Sequence, residues 1–113
     1  MRAAIRVAAP GEQQAQLDDW LARSPAGRRA VIAESGFVPL EAPDGVPLAR
    51  LAPGCVCCVG QVPLRVTLTR TVRTHRPDDM LLLLATADHL PRVRALLADG
   101  SLGVRFEVRL DEE

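Results

Sequence analysis

Three cysteines lie close together in the segment Gly54-Cys55-Val56-Cys57-Cys58. Thiolates bind soft cations such as zinc, and a glycine permits the tight turn that lets several sulfur atoms converge on one ion. Zinc takes four ligands in tetrahedral geometry, so three thiolates leave one position for another donor. Because adjacent side chains often diverge, two thiolates with other donors form an alternative ligand set. The segment therefore predicts a site for a soft metal ion.

Two other roles suit clustered cysteines. Cysteine also packs in protein interiors as a small hydrophobic residue, which would make the three residues part of the core. Neighbouring thiols can also exchange electrons, which here predicts a Cys55–Cys57 disulfide under mild oxidation. We favour metal binding over both, and the two alternatives stay open.

The composition excludes several classes of function. The 113 residues fit one domain, which we take as residues 1–113, and 14 basic residues balance 14 acidic ones. A protein that binds nucleic acid usually has a basic surplus, so we expect no nucleic-acid partner. All the basic residues are arginines. Without lysine the chain can form no Schiff base and can place no P-loop ammonium on phosphate.

No segment predicts membrane insertion or secretion. The longest apolar run, Met80–Ala85, is far shorter than the roughly 20 residues of a membrane span. The N-terminus shows no apolar signal region with a cleavage site. We therefore expect a cytoplasmic protein, in which thiols stay reduced and are available to metals.

Hydrophobic periodicity predicts alternating strands and helices. Strands are expected at Ala3–Ala9, Arg29–Ala33, Asp78–Ala85 and Leu102–Leu110, with a brief strand at Leu48–Leu51. Helices are expected at Gly11–Arg23 and at Asp88–Ala98, the second capped by Asp88 and ended by Gly100. Segment Val62–His75 fits a strand and a helix equally well. This order predicts an α/β fold of three layers with a mainly parallel sheet.

A resemblance to a known family rests on Leu48–Cys58, LARLAPGCVCC. This segment resembles the signature of the CobW-type metallochaperone GTPases, in which a strand leads into a Gly-Cys-x-Cys-Cys metal motif. Gly27–Glu34 is similar to the family's second strand, which ends in Asn-Glu. Glu34 keeps the glutamate, and Ala33 replaces the asparagine. The resemblance covers about residues 3–110 and implies a P-loop-nucleotidase-like, Rossmann-like domain. It also implies a helix at residues 62–75 and zinc or cobalt as the metal.

The chain departs from that family where nucleotide would bind. The family's P-loop corresponds to about Ala8–Gln16, in which Gly11 fits one loop glycine. Gln14 stands at the position of the phosphate-binding lysine, and Ala15 at that of the magnesium-binding serine or threonine. Glu12 and its neighbour Gln13 replace glycines that let backbone amides cradle phosphate, and a carboxylate there repels a triphosphate.

A further loss falls at Leu84, where the resemblance places an acidic residue of the nucleotide site. Phosphoryl transfer depends on positioning and electrostatic groups, and these are the groups that are missing. We therefore expect no nucleotide cofactor and no catalytic residue.

Other candidate ligands are a carboxylate and two imidazoles. Glu34 is the first choice for the remaining metal position, because it ends a strand close to where the cysteine turn should lie; as an ordinary loop residue it would be solvated. His75, expected at the exit of a helix, and His89, expected in a first helical turn, are weaker candidates.

The leading hypothesis is a CobW-like protein that does not hydrolyse nucleotide and binds, buffers or delivers zinc or cobalt. It would act with a protein partner or as a homodimer. One alternative is an interaction module whose cysteines only pack. Another is a protein that retains GTP binding through an altered loop.

Overall fold

The computed structural model describes residues 1–24, 27–36, 38–51, 62–100, 102–103 and 105–110. The strands are β1 (Arg2–Val7), β2 (Arg29–Ala33), β3 (Leu48–Arg50), β4 (Asp79–Leu84) and β5 (Glu107–Leu110). The helices are α1 (Gln13–Arg23), α2 (Val62–His75) and α3 (Leu90–Ala98). Short 3-10 turns at Pro10–Glu12 and Ala87–His89 precede α1 and α3.

The five strands form one parallel sheet in the order β3-β2-β4-β1-β5. Strand β4 lies at its centre, between β1 and β2, and all six of its residues are buried. Such burial on both faces is typical of a continuous apolar strand in a parallel sheet. The predicted α/β fold with a parallel sheet is confirmed.

The helices cover both faces of the sheet. The β1–β2 connection runs along the sheet in one direction, and the β3–β4 and β4–β5 connections run in the other. Right-handed crossovers therefore place α1 on the face opposite α2 and α3. Two hydrophobic clusters agree with this arrangement. Leu17 and Trp20 of α1 pack against one face of the sheet, and α2 and α3 pack against the other.

Segment 62–75 is a helix because only a helix buries its apolar residues. Leu64, Leu68 and Val72 form one buried stripe against the sheet. A strand would also have buried Val66, which is 48% exposed. The hydroxyl of Thr67 donates to the carbonyl of Pro63, inside the first turn. None of the helices in the described parts of the chain is long and apolar enough to cross a membrane.

The last strand is shorter than predicted. Expected at Leu102–Leu110, it begins only at Glu107. A turn occupies the earlier part, where the amide of Gly103 donates to the carbonyl of Gly100 and both glycines have φ near +76° (+75° and +77°). Leu102 still packs against the core, as the alternating pattern suggested, but from a turn. Alternation therefore identified a buried side chain and not its backbone conformation.

The cap predicted for the helix at Asp88–Ala98 is also different. Asp88 lies inside the 3-10 turn and does not cap α3 through its side chain. The hydroxyl of Thr86 instead accepts from the amide of Asp88, at 3.3 Å. At the other end Gly100 follows the helix with a positive φ, as predicted for a glycine that ends a helix. The turn before α3 is therefore fixed by Thr86.

Candidate functional site

The carboxyl ends of the parallel strands meet at one edge of the sheet. There the chain leaves β1 toward α1 on one face, whereas it leaves the neighbouring β4 toward α3 on the other face. In open α/β sheets, a crevice at such a divergence is the usual place for a ligand. The buried polar side chains at this edge of the sheet include Gln13, Glu34 and His89.

Glu34 extends β2 by one residue and is almost completely buried. Its backbone amide donates to the carbonyl of Leu83 at 2.8 Å, and the residue is 1% exposed. Its carboxylate accepts from the backbone amide of Ala85 at 2.8 Å. The interpretation of Glu34 as a solvated loop carboxylate is therefore wrong. Its role as a metal ligand stays a prediction.

His89 is the partner of Glu34. Its Nδ1 lies 3.0 Å from each oxygen of the Glu34 carboxylate, and the residue is 8% exposed. His89 lies at the start of the helical segment, as expected, and its side chain is buried. The two residues are 55 positions apart in sequence. The only signal for this contact is that each follows a strand of the same parallel sheet, so that both reach the same edge.

Gln13 connects the loop after β1 to the end of β2. It is fully buried, and its Nε2 donates to the carbonyls of Ala8 and Glu34, both at 3.1 Å. Two carbonyl acceptors fix which end of the amide is nitrogen. Its Oε1 has no hydrogen-bond partner among the described residues. Sequence reasoning treated Gln13 only as a residue that replaces a loop glycine and missed this structural role.

The loop after β1 uses two of its own backbone amides in internal hydrogen bonds. The amide of Glu12 donates to the carbonyl of Ala9, and the amide of Gln13 donates to the carbonyl of Pro10. These amides are therefore already bonded within the loop. Gly11 does not have the positive φ that favours glycine, and a Cβ added there would meet nothing within 4 Å. A phosphate cradle requires free amides and close backbone approach.

Gln14 has a different task from the lysine whose position it takes in the resemblance. Its Nε2 donates to the carbonyl of Glu41 at 2.9 Å, and its Oε1 accepts from the amide of Glu41 at 2.8 Å. The side chain thus fastens α1 to the loop before β3. Ala15, at the position of the magnesium ligand, is exposed and offers no oxygen from its side chain.

The predicted ligands Cys55, Cys57 and Cys58 lie outside the described residues, and their role stays a prediction. The chain enters their segment beside the buried pair, because the amide of Leu51 donates to the carbonyl of Ala33, directly before Glu34. Within the described ranges, no group of three or more histidine, cysteine, aspartate and glutamate side chains could hold a metal ion.

His75 does not belong to this site. It is the last residue of α2 and is exposed. Because α2 returns the chain to the start of β4, His75 lies at the amino edge of the sheet, opposite Glu34 and His89. Of the two histidines considered, the structure brings only His89 to the candidate site.

A charged pair lies on the α1 side of the sheet. The buried guanidinium of Arg6 contacts the Asp19 carboxylate at 2.8 Å. This hydrogen bond, with a smaller contribution from Arg23, holds the pKa of Asp19 below its usual value. The pair joins β1 to α1.

Comparison with known proteins adds no relative: no protein family, no curated protein and no solved structure matches the chain.

Proposed function

We propose that this protein binds a zinc or cobalt ion through Cys55, Cys57 and Cys58, as a CobW-like domain that does not hydrolyse nucleotide. The observation that carries the proposal is the buried pair of Glu34 and His89 at the carboxyl edge, beside the strand that leads into the cysteines. Thiolate, imidazole and carboxylate are all ligands that zinc accepts. Such a protein would buffer the ion or deliver it to a partner protein or a second copy of the chain.

The chain between β3 and the cysteines is long enough for the thiols to reach the pair. Strands β3 and β4 are separated only by β2, so their ends lie about 10 Å apart at ordinary strand spacing. Cys55 follows Leu51 by four residues, and four residues span at most about 14 Å. Donors that follow β2, β3 and β4 in the chain, namely oxygen, sulfur and nitrogen, can therefore meet at one ion.

The absence of nucleotide turnover follows from groups that are missing or already used. The chain has no lysine, and Gln14 is bonded to the backbone of Glu41. The amides of Glu12 and Gln13 are bonded within their own loop. Leu84, in place of an acidic residue, is buried in the hydrophobic core. Catalysis of phosphoryl transfer consists almost entirely of such positioning and charge.

The test of metal binding is elemental analysis of protein purified without added metal, followed by titration with zinc and cobalt. We expect about one ion per chain, as for a single tetrahedral site. Replacement of Cys55, Cys57 and Cys58 by serine should abolish binding. His75→Ala is the control for nonspecific imidazole binding, because this residue lies at the opposite edge of the sheet. A wild-type protein that binds no ion at micromolar concentration contradicts the proposal.

The expected lack of GTP binding is tested independently of the metal. Calorimetry with GTP and magnesium should give no heat of binding. A measurable affinity for GTP would show that the loop after β1 rearranges to free its amides, and would support the alternative of a protein that retains GTP binding.

A further inference from the structure

We propose that His89 supplies the nitrogen ligand of the metal through Nε2, and that Glu34 orients the imidazole instead of binding the ion. This inference rests on the proposed function and changes its fourth ligand from a carboxylate to a nitrogen. The sequence favoured different roles for the two residues, with Glu34 as the ligand and His89 as a weaker candidate.

The geometry of the pair determines which nitrogen is available. Nδ1 of His89 lies 3.0 Å from the carboxylate oxygens of Glu34. An ionised carboxylate only accepts hydrogen bonds, so Nδ1 carries the proton. In the neutral ring the lone pair is then on Nε2, and this nitrogen makes no hydrogen bond to the described residues. A histidine that binds metal commonly donates its other N–H to a carboxylate in this way.

The surroundings of Glu34 suit an orienting residue better than a ligand. Its carboxylate accepts from the amide of Ala85 as well as from His89, and the residue is 1% exposed. An ion bound to the carboxylate would share oxygens that already accept these two hydrogen bonds. His89 can bind an ion without breaking any of these contacts.

The position of His89 is fixed by hydrogen bonds on both sides. Before it, Thr86 caps the turn through its hydroxyl, and after it the amide of Leu90 donates to the carbonyl of Ala87. The ring is therefore held before any ion arrives. A ligand placed in advance loses little freedom on binding, which is the purpose of such supporting contacts.

Glu34 lies on the face of the sheet that α2 and α3 cover. Side chains alternate across β2, so Glu34 lies on the same face as Ile32, which packs under α2 and α3. Leu51, the last described residue before the cysteines, packs in the same cluster. The next described residues belong to α2, which covers that face. Glu34, Leu51 and α2 therefore lie on one face of the sheet.

The experiment uses cobalt as the probe, because its absorption reports the ligands. Wild-type protein, His89→Ala, Glu34→Gln and the control His75→Ala are titrated with cobalt under the same conditions. We expect His89→Ala to keep the thiolate-to-metal charge-transfer band, to shift the ligand-field bands and to lose at least about 10-fold in affinity. Glu34→Gln should lose roughly 10–100-fold, with the wild-type band positions. His75→Ala should match wild type.

A second measurement avoids dependence on the folding of the variants. X-ray absorption of the zinc-loaded wild-type protein should show the outer-shell scattering of one imidazole. Its absence, or a His89→Ala variant with wild-type affinity and spectrum, overturns the inference and leaves thiolate binding intact. Shifted bands in Glu34→Gln but not in His89→Ala would make Glu34 the ligand and also overturn it. A wild-type protein that binds no cobalt removes the proposed function itself.

Discussion

Polar side chains lie in two neighbouring regions of the carboxyl edge of the sheet. The two regions differ in the groups to which these side chains are hydrogen-bonded. In the region after β1, the side chains of Gln13 and Gln14 bond mainly to backbone groups, which include Ala8 and Glu41. In the region after β2 and β4, the side chains of Glu34 and His89 bond to each other. Amides bonded to backbone hold a loop closed, whereas an ionisable pair keeps a basic nitrogen in a fixed place. The first region therefore holds a loop in place, and the second offers the donor atoms of the proposed metal site.

The largest expected effect is the loss of the buried carboxylate. Glu34→Ala leaves the amide of Ala85 and the imidazole of His89 buried without their acceptor. A buried donor left without its acceptor typically costs about 1–3 kcal/mol, and two donors lose their acceptor here. We expect a loss of that order in the free energy of unfolding, measured by urea denaturation without metal.

The matched control for this change is Glu41→Ala. Glu41 is also a glutamate, but it is exposed, and the bonds that it makes with Gln14 use its backbone. A substitution of this kind usually changes stability by no more than about 0.5 kcal/mol. Equal losses for the two variants would show that Glu34 is not held as described and would remove the contrast between the two regions.

The second prediction compares the two adjacent glutamines. Gln13→Ala removes a fully buried amide and leaves the carbonyls of Ala8 and Glu34 without this donor, at a cost of about 1–3 kcal/mol. Gln14→Ala also removes two bonds to backbone, but its partner Glu41 is exposed and water can replace them. We expect a loss below about 1 kcal/mol there. Thermal or urea unfolding of both variants measures the difference, and a larger loss for Gln14→Ala would reverse the assignment.

Much of the fold could be predicted from sequence because hydrophobic pattern determines which face of each element is buried. The continuous apolar run predicted β4, and Arg29–Ala33 was predicted with the bounds of β2. The pattern of residues 62–75 was ambiguous, since Leu64, Leu68 and Val72 fit both periods. Only the sheet packed beneath them decides for the helix. For β5 the alternating pattern predicted a strand that is too long, because two glycines form a turn within the alternating segment.

The candidate site could be predicted only in part. Glu34 was identified because it follows a predicted strand whose end should lie close to the cysteine turn. Its contact with His89 depends on the neighbouring positions of β2 and β4, which local sequence does not encode. The inward direction of Gln13 depends on a rotamer that places its amide between two carbonyls. Such contacts and rotamers follow from tertiary packing and leave no periodic pattern in the sequence.

The smallest expected effect comes from the pair of Arg6 and Asp19 on the α1 side of the sheet. This pair adds to the comparison an ion pair whose carboxylate is partly exposed. The hydrogen bond from Arg6 holds the pKa of Asp19 below its usual value, so ionised Asp19 stabilises the folded state. This contribution is complete above the unfolded pKa of about 3.9 and is lost as the pH falls through the lower folded pKa. The difference in unfolding free energy between wild type and Asp19→Asn should therefore be constant near neutral pH and shrink below about pH 4. Asp44→Asn, in the exposed loop before β3, is the control for a general charge effect. A difference that does not change between neutral and acid pH would mean that Arg6 is held by its bond to the carbonyl of Gln16 and not by Asp19, which would place the pair with the backbone-bonded region.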